Sequence, residues 1–409
     1  MIRATAAALV VVGVLMAGCG GGNKPAAAMP TPTPGSPAAG PAAPAGNLAQ
    51  LERLLRRRAA ALAAGRPRAY AATAIGPQRD RDRETARNAR GLGLRDVELA
   101  VDSADVSGRI ATLRVRSLYR VRGVRGRFGT ARRVDARRTP VGWRVHRESS
   151  RRERHPWEVG RVQARRSRHF VVLAPRALEL GALFAALEGG YARMGTVLRR
   201  PRLRRRYLVV VAQGTQAARS LTERIRGVES LAAISDTEVQ EAGAARRVSA
   251  VLSQRLVVVW PPFSTLDADG QQRVVTHELT HAALAGVTSG RTPAWLIEGA
   301  ALYVSEDRRA DDAAQMPDAT TLTRLSKPDA IARLSGDRQA AAYAYASAAA
   351  FYIVERFGRR RFLRLYNAFN DEGLPGRAGA EVTGRAVRRT LGISLRRLES
   401  DLGAWLRIS

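Results

Sequence analysis

Two histidines and a glutamate stand close together in the segment His277-Glu278-Leu279-Thr280-His281, which is an HExxH motif. The motif uses two of the five histidines in the 409-residue chain. On a helix, residues i and i+4 lie on one face, so both imidazoles can bind the same metal ion. Glu278 lies between them in sequence and can contact a water molecule on that metal. This combination predicts a zinc-dependent hydrolase.

The residues around the motif predict the helix that must carry it. Val274 and Val275, with further apolar residues one turn later, form a helical pattern that packs against a core. Asp267 or Asp269 can cap the start of this helix, because a carboxylate oxygen accepts from the free N–H groups of a first turn. Gly286 is the expected end.

A second helix is predicted from residue 292 onward. Thr292 is the expected N-cap and Pro293 the first helical residue, where its missing N–H costs nothing. This helix carries Glu298, which follows His281 after 16 intervening residues. A short connection lets the second helix fold back and offer Glu298 as a third metal ligand. Two histidines and one carboxylate leave the fourth tetrahedral position open, as a catalytic zinc requires.

The motif and its surroundings resemble a known family. HELTH followed by P-x-W-L-x-E-G-x-A-x-Y is similar to the MA-like gluzincin peptidases, relatives of thermolysin and aminopeptidase N. Downstream, segments 343–347 and 354–358 resemble the tyrosine helix of that family and its E-R-[FY]-G turn. The resemblance covers about residues 165 to 409. The residues that carry it in the first segment are His277, Glu278, His281, Trp295, Leu296, Glu298, Gly299, Ala301 and Tyr303.

The resemblance implies a fold and roles for individual residues. It implies a mainly helical, thermolysin-like metallopeptidase domain with a small N-terminal sheet, and zinc held by His277, His281 and Glu298. Glu278 would be the general base. Tyr343 would donate a hydrogen bond to the oxyanion, although Tyr345 and a packing role for either tyrosine stay open.

Two departures from the family pattern limit what it implies. Position 302 is Leu where thermolysin-like enzymes have an Asp that supports a zinc-binding histidine. We therefore expect another carboxylate or a backbone carbonyl to accept from a histidine ring, with Glu306 as one candidate. The glycine-rich exopeptidase signature of aminopeptidases is absent from the sequence. The resemblance therefore indicates a zinc hydrolase core and leaves endo- and exopeptidase action open.

The catalytic domain is predicted to begin with strands and to end in helices. Residues 169–173 and 207–211 are expected strands that flank a helix at 178–198. Residues 256–260 form a further expected strand, which in gluzincins lies along the cleft with an exposed edge that can pair with extended peptide. The chain from residue 292 onward is expected to be mainly helical, with a polar loop at 309–319.

Residues 48–160 are predicted to form a separate α+β domain. Leu48–Leu62 has helical periodicity, a further short helix is expected after Pro67, and strands follow at 97–101, 110–121, 127–134 and 142–147. A helix followed by an antiparallel meander resembles the NTF2-like, or cystatin-like, fold. The expected role is that of a scaffold or partner-binding domain. The remaining histidines, which no ligand spacing frames, are expected to be structural or exposed: His146, His155 and His169.

The N-terminus reads as a targeting segment. Residues 1–18 have a short basic start and an apolar stretch from Ala6 to Met16, as in a bacterial lipoprotein signal peptide. Cys19, the single cysteine of the chain, is the expected lipidation site, and an ordinary secretory signal is the alternative. Residues 19–47 form a Pro/Ala-rich linker that favours an extended tether. We expect an exported protein held on the extracytoplasmic face of the membrane and without an internal disulfide.

The charge of the chain comes almost entirely from arginine. The formal net charge is +32, and Lys24 and Lys327 are its only lysines. No nucleic-acid-binding signature accompanies this charge, so no specific nucleic-acid partner is expected. A solvated basic surface attracted to anionic lipid or wall polymers fits better.

The sequence as a whole predicts an exported, lipid-anchored zinc metallopeptidase that hydrolyses peptide bonds of a peptide or protein substrate with zinc-activated water. One alternative is a binding lipoprotein that keeps the gluzincin fold without turnover. Another is a zinc hydrolase that acts on a different bond. The sequence determines neither the substrate nor the oligomeric state.

Overall fold

The chain forms two compact units. One contains residues 45–122 with Arg127–Ala164, and the other contains Gly123–Gly126 with the chain from Arg165 onward. Cys19, most of the linker and the polar loop after Arg309 lie outside the described residues. The computed structural model describes residues 45–150, 153–198, 203–222, 232–243, 246–309 and 321–407.

The N-terminal unit consists of helices followed by an antiparallel sheet. The four strands pair in sequence order, β1-β2-β3-β4, as a meander. The elements are α1 (Ala45–Ala63), α2 (Pro67–Ala71), α3 (Pro77–Ala89), β1 (Leu94–Ser107), β2 (Ile110–Val121), β3 (Phe128–Thr139) and β4 (Gly142–Ser149).

One face of this sheet packs against α1. Alternate residues of β2, among them Leu113 and Val115, are buried, because side chains two apart on a strand share one face. They meet Leu51, Leu54 and Leu55 of α1 in one apolar cluster. The alternation of apolar and polar residues therefore sets which side of the sheet faces the core.

The sequence prediction for this unit is confirmed in its element order. The structure has the long first helix and all four strands, and the class is mixed α+β. Two details differ. Helix α1 begins at Ala45, inside the predicted linker, and two helices rather than one follow it, the short α2 and the 13-residue α3. The second of them, α3, is strongly polar, so apolar periodicity gave little signal for it.

The C-terminal unit begins with a mixed sheet and continues with helices. After the sheet-containing part, the chain is helical, as the sequence predicted. The elements are β5 (Val162–Arg166), β6 (Phe170–Pro175), α4 (Gly181–Leu198), β7 (Tyr207–Ala212), α5 (Thr215–Leu221), β8 (Ala233–Ala242), β9 (Arg247–Val259), α6 (Trp260–Ser264), α7 (Ala268–Leu284), α8 (Ala294–Ser305), α9 (Gly336–Phe357), α10 (Arg359–Ala368), α11 (Ala380–Leu391) and α12 (Leu395–Leu406).

The strand order of this sheet is β5-β6-β7-β9-β8. Strands β6, β7 and β9 are parallel, whereas β8 runs antiparallel to β9. Strand β7 is buried along its whole length, which matches its continuous apolar run and the burial of parallel sheets on both faces.

The predicted cleft-edge strand is wrong in position. Residues 256–258 of strand β9, within the expected strand, pair with β7 on one side and β8 on the other, so this part of the strand has no free edge. Trp260 already belongs to the short helix α6. The strand at the end of the order is β8, which sequence analysis missed because its residues lack a clear apolar alternation.

The helices bury one continuous apolar core with the sheet. Residues of β6, β7, α7, α8 and α9 belong to a single cluster of buried side chains. Trp295 and Leu296 of α8 are fully buried in it, so they act as packing residues. None of the helices in the described part of the chain combines the length and the apolarity that a membrane span needs.

Candidate metal centre

Helix α7 carries the HExxH motif and is fixed at its start and along its side. Of the two predicted caps, Asp267 takes the role, and its Oδ1 accepts from Gly270 N at 2.7 Å. The helix ends at Leu284, before the predicted stop at Gly286. Along its side, α4 approaches closely at Gly190, where a Cβ atom would stand 2.7 Å from Thr276 Oγ1.

Helix α8 brings Glu298 to the motif. Its predicted start is one residue too early, because Pro293 is the N-cap in extended conformation and the helix begins at Ala294. Thr292 instead accepts from Ser289 N at 3.0 Å through its hydroxyl, which closes the turn before the helix. Gly299 allows α9 to approach, since a Cβ atom there would stand 2.5 Å from the carbonyl oxygen of Ala346.

These two helices bring the three predicted metal ligands together. The Nε2 atoms of His277 and His281 are 3.0 Å apart. Glu298 Oε2 lies 3.3 Å from His277 Nε2 and 3.5 Å from His281 Nε2. All three side chains are buried. His277, His281 and Glu298 therefore form a compact group that could hold a metal ion.

The separations fit a tetrahedral metal. With metal–ligand bonds of about 2.0–2.2 Å, two ligand atoms on one zinc ion stand about 3.3–3.5 Å apart. The three separations in this group agree with that value to within about 0.3 Å. Glu298 Oε2 is also buried without a well-formed hydrogen bond, so it keeps a lone pair for a metal.

The protonation states of Glu298 and His277 suit metal binding. Burial raises the pKa of Glu298, but the charge of His281 and interactions with both imidazoles outweigh it and lower this pKa to about 2. Burial lowers the pKa of His277, which favours its neutral form. An ionised carboxylate and a neutral imidazole are the forms that bind a metal. Burial lowers the pKa of His281, but the charge of Glu298 outweighs this and raises the pKa, so a metal has to displace a proton from that ring.

Glu278 lies in the same site and is fully buried. Its Oε2 accepts from the backbone N–H of Ser235 in β8 at 2.6 Å, whereas its Oε1 has no hydrogen-bond partner. Burial raises its pKa to about 8, with the charge of Glu298 adding to the effect. One oxygen of this carboxylate is thus held in place, and the other is available to a proton or a water molecule.

The contact between Glu278 and Ser235 is a feature of this site that sequence analysis missed. It depends on β8, which no motif marks. The signal in the sequence was Gly243, because glycine is typical of turns, and the structure has it between β8 and β9 with a φ of 71°. A glycine turn before the predicted 256–260 strand indicates a β-hairpin. Such a hairpin would have predicted a second strand close to the HExxH helix.

Glu306, the candidate acceptor for a hydrogen bond from a histidine ring, does not take that role. Glu306 ends α8 in a left-handed conformation and instead pairs with Arg193, whose Nη2 lies 2.5 Å from Glu306 Oε1. Among the described residues, neither His277 nor His281 forms a hydrogen bond through Nδ1. Burial lowers the pKa of His277, and the charges of Glu298 and, to a lesser extent, of Asp307 next to Glu306 oppose this effect without reversing it.

The two candidate tyrosines of α9 face different surroundings. Tyr343 is buried, and the Arg309 guanidinium lies 5.9 Å from its ring centroid. Burial raises the pKa of Tyr345 to about 12, and the nearby charge of Glu399 in α12 adds to this. Two successive residues of a helix rotate by about 200°, so residues two apart point in nearly opposite directions. Tyr343 and Tyr345 therefore lie on different sides of α9.

Comparison with known proteins gives little further information. No protein family model matches the chain, and no curated protein matches it. A protein of unknown function from Mycobacterium tuberculosis is 16% identical over 26% of this chain and 77% of its own, with a TM-score of 0.22. An NTF2-like protein with a cystatin-like fold from Novosphingobium aromaticivorans is 22% identical over 25% of this chain and 79% of its own, with a TM-score of 0.22. At these TM-scores, neither likeness carries an argument about this chain.

Proposed function

We propose that this protein is an exported, lipid-anchored zinc metallopeptidase of the gluzincin type. The observation that carries the proposal is the buried group of His277, His281 and Glu298 at ligand spacing, with the unpartnered Oε1 of Glu278 beside it. The resemblance of the HExxH and W-L-x-E-G segments to gluzincin peptidases supports the same conclusion. The mixed sheet followed by helices is consistent with a thermolysin-like domain.

Zinc is the metal that this ligand set favours. Two imidazole nitrogens and one carboxylate oxygen at tetrahedral spacing suit Zn²⁺, whereas Ca²⁺ and Mg²⁺ prefer oxygen ligands in larger numbers. When bound, zinc polarises a carbonyl group and lowers the pKa of water. The protein's own part is to hold His277, His281 and Glu298 in place.

Glu278 is the proposed general base. Ser235 N fixes its Oε2, so the other oxygen keeps a defined position and can accept a proton from the attacking water. The same carboxyl group can then deliver that proton to the leaving amine. Because the side chain is fully buried, its proton exchange with bulk solvent is restricted.

The proposed substrate is an extended peptide beside β8. Ser235 lies on this strand, which is last in the strand order, and no described strand pairs with its outer edge. Backbone groups of a substrate can extend the sheet there by β-augmentation. A peptide bound in this way would have its scissile bond next to Glu278.

Tyr343 is preferred over Tyr345 as the oxyanion donor. Arg309, which contacts the Tyr343 ring, belongs to the same segment as Asp307, whose charge acts on His277. Tyr345 instead faces the side of α9 on which Glu399 lies. Tyr343 is therefore the proposed donor of a hydrogen bond to the reacting carbonyl oxygen.

The N-terminal parts of the chain complete the proposal. The helix-then-meander order of the first unit, with α1 across the sheet, is consistent with an NTF2-like fold. Cys19 after an apolar stretch and before a Pro/Ala-rich segment supports lipid anchoring on the extracytoplasmic face.

The decisive experiment combines metal content with turnover. Wild-type protein should carry about one zinc per chain and cleave members of an unbiased peptide pool. Glu278→Gln should keep its zinc, because its side chain is not a ligand, and should lose activity by about 10²–10⁴-fold. His277→Ala and Glu298→Ala should lose both zinc and activity.

Three outcomes would contradict parts of this proposal. Wild-type zinc content in both ligand variants would remove the assigned metal site. Bound zinc without cleavage of any peptide would favour a silent binding protein or a hydrolase of another bond. Equal cleavage by wild type and Glu278→Gln would exclude Glu278 as the base.

A further inference from the structure

A polar cavity lies in the N-terminal unit, away from the HExxH motif in sequence. Its volume is about 370 Å³, which is within the usual range for small-molecule sites. It opens between α3 and the strands β3 and β4, with Asp82, Arg132 and Glu148 in its lining. Tyr70 supplies the single aromatic side chain among the lining residues. The cavity therefore suits a polar ligand rather than an apolar one.

The carboxylates of this cavity are already bound by arginines. The buried Arg58 donates through Nη2 to Asp82 Oδ1 at 2.8 Å and to Glu148 Oε2 at 2.5 Å. Arg132 Nη2 donates to Glu158 Oε2 at 2.6 Å. Because each carboxylate has an arginine partner, this cluster is a poor site for a cation.

Three further arginines line the cavity and have no such partner. Arg81, Arg147 and Arg154 are exposed, and in the part of the chain that the structure describes none of them pairs with a carboxylate. Four arginines line the cavity, and Arg58 behind it is a fifth. Against the three carboxylates of the lining, these five arginines give a formal charge of +2. The cavity thus has a surplus of guanidinium donors.

The buried part of the wall has unused donor capacity as well. Arg132 is 6% exposed, and its Nε is buried without an acceptor. The hydroxyl-bearing residues Thr85 and Ser149 stand in the same lining. Guanidinium groups bind planar or tetrahedral oxyanions through paired N–H donors, and hydroxyls bind the polar body of a ligand.

We propose that this cavity binds a small polar organic anion, with a phosphate or carboxylate group held by Arg81, Arg147 and Arg154. The anion's remaining polar groups would lie against the hydroxyl-lined wall. The proposal is independent of the metal centre, because all of its residues belong to the N-terminal unit.

Calorimetric titration of the full chain tests this proposal. The probes are glucose 6-phosphate, glucuronate and glucose, which share a sugar body and differ in their anionic group. Saturable binding of one or both anions is expected, with no binding of glucose, and the stronger anion identifies the acidic group. Absence of saturable heat for both anions at low millimolar concentration would overturn the proposal, and so would equal binding of glucose.

Single substitutions separate a built site from general basicity. Arg147→Gln and Arg81→Gln should each weaken binding of the better anion about tenfold or more, because each removes a charged donor. Arg137→Gln is the matched control, since Arg137 is an exposed arginine five residues beyond Arg132 on β3 and outside the cavity lining. An equal loss in the control, or none in the cavity variants, contradicts the proposal. Unchanged binding in His277→Ala keeps this test separate from that of the metal centre.

Discussion

The sharpest test of how the helices position the metal ligands is the substitution Gly299→Ala. A Cβ atom at this position would lie 2.5 Å from the backbone oxygen of Ala346 and 3.1 Å from Ala350 Cβ. Carbon and oxygen atoms ordinarily meet at about 3.3 Å, so α8 and α9 must separate by about 0.8 Å. A backbone oxygen inside a helix cannot rotate aside as a side chain would.

The expected magnitude follows from two opposing effects. Replacing glycine by alanine in an unstrained helix stabilises a protein by about 0.4–1 kcal/mol, mainly through the unfolded state. Overpacking of this kind costs about 1–3 kcal/mol. We therefore expect Gly299→Ala to lower the free energy of unfolding by about 1–2 kcal/mol. The shift also moves the neighbouring Glu298 by more than the ±0.2 Å or so that metal–ligand distances allow, so zinc affinity should fall about 10–100-fold.

A matched glycine provides the control for this experiment. Gly384 lies inside α11, and a Cβ atom there would meet only Leu395 Cβ at 3.9 Å, an ordinary contact. Gly384→Ala should therefore stabilise the protein slightly and leave zinc affinity unchanged. Chemical denaturation in metal-free buffer and competition with a zinc chelator measure the two quantities. If Gly299→Ala matched Gly384→Ala in both, the argument from close helix packing would be refuted.

Three further predictions concern other parts of the chain. Asp267→Ala removes the oxygen that accepts from a first-turn N–H of α7 at 2.7 Å, so chemical denaturation should show a loss of about 1 kcal/mol; an unchanged midpoint would contradict the capping role. Arg58→Met leaves the carboxylates of Asp82 and Glu148 without their arginine partner. Chemical denaturation should then show a free energy of unfolding lower by about 3–5 kcal/mol, whereas a loss below about 1 kcal/mol would mean that these charges are solvated. Cys19→Ser should leave the membrane fraction while keeping zinc and fold, whereas retention in high salt would contradict lipid anchoring.

Local sequence patterns were sufficient to predict several structural features of this protein. The i, i+4 spacing of His277 and His281 fixes their common helix face, because helical geometry is the same in every protein. The alternating strands of the N-terminal unit were predicted because burial on one side of a sheet leaves a period of two in the sequence. The helix cap at Asp267 was among the predictions, because a cap depends on neighbours three residues away.

Other features depend on contacts between distant segments. Strand β8 lacks a clear apolar alternation, and neither the contact of Ser235 with Glu278 nor the cavity of the N-terminal unit has a local pattern. Ser235 and Glu278 are 43 positions apart, and the cavity brings together residues from Tyr70 to Glu158. Glu306 was a candidate from its place one turn after Leu302, but the left-handed turn at the end of α8 directs it to Arg193.

The sequence by itself determined which groups can do chemistry, since HExxH and a later glutamate specify two imidazoles and two carboxylates whatever surrounds them. Only the tertiary structure decided which of their atoms meet, which carboxylate oxygen of Glu278 stays without a partner, and how deeply the group is buried. The physical reason is that ligand spacing on one helix is a local property of the backbone. The approach of Glu298 and Ser235 instead requires the packing of α7 against α8 and β8.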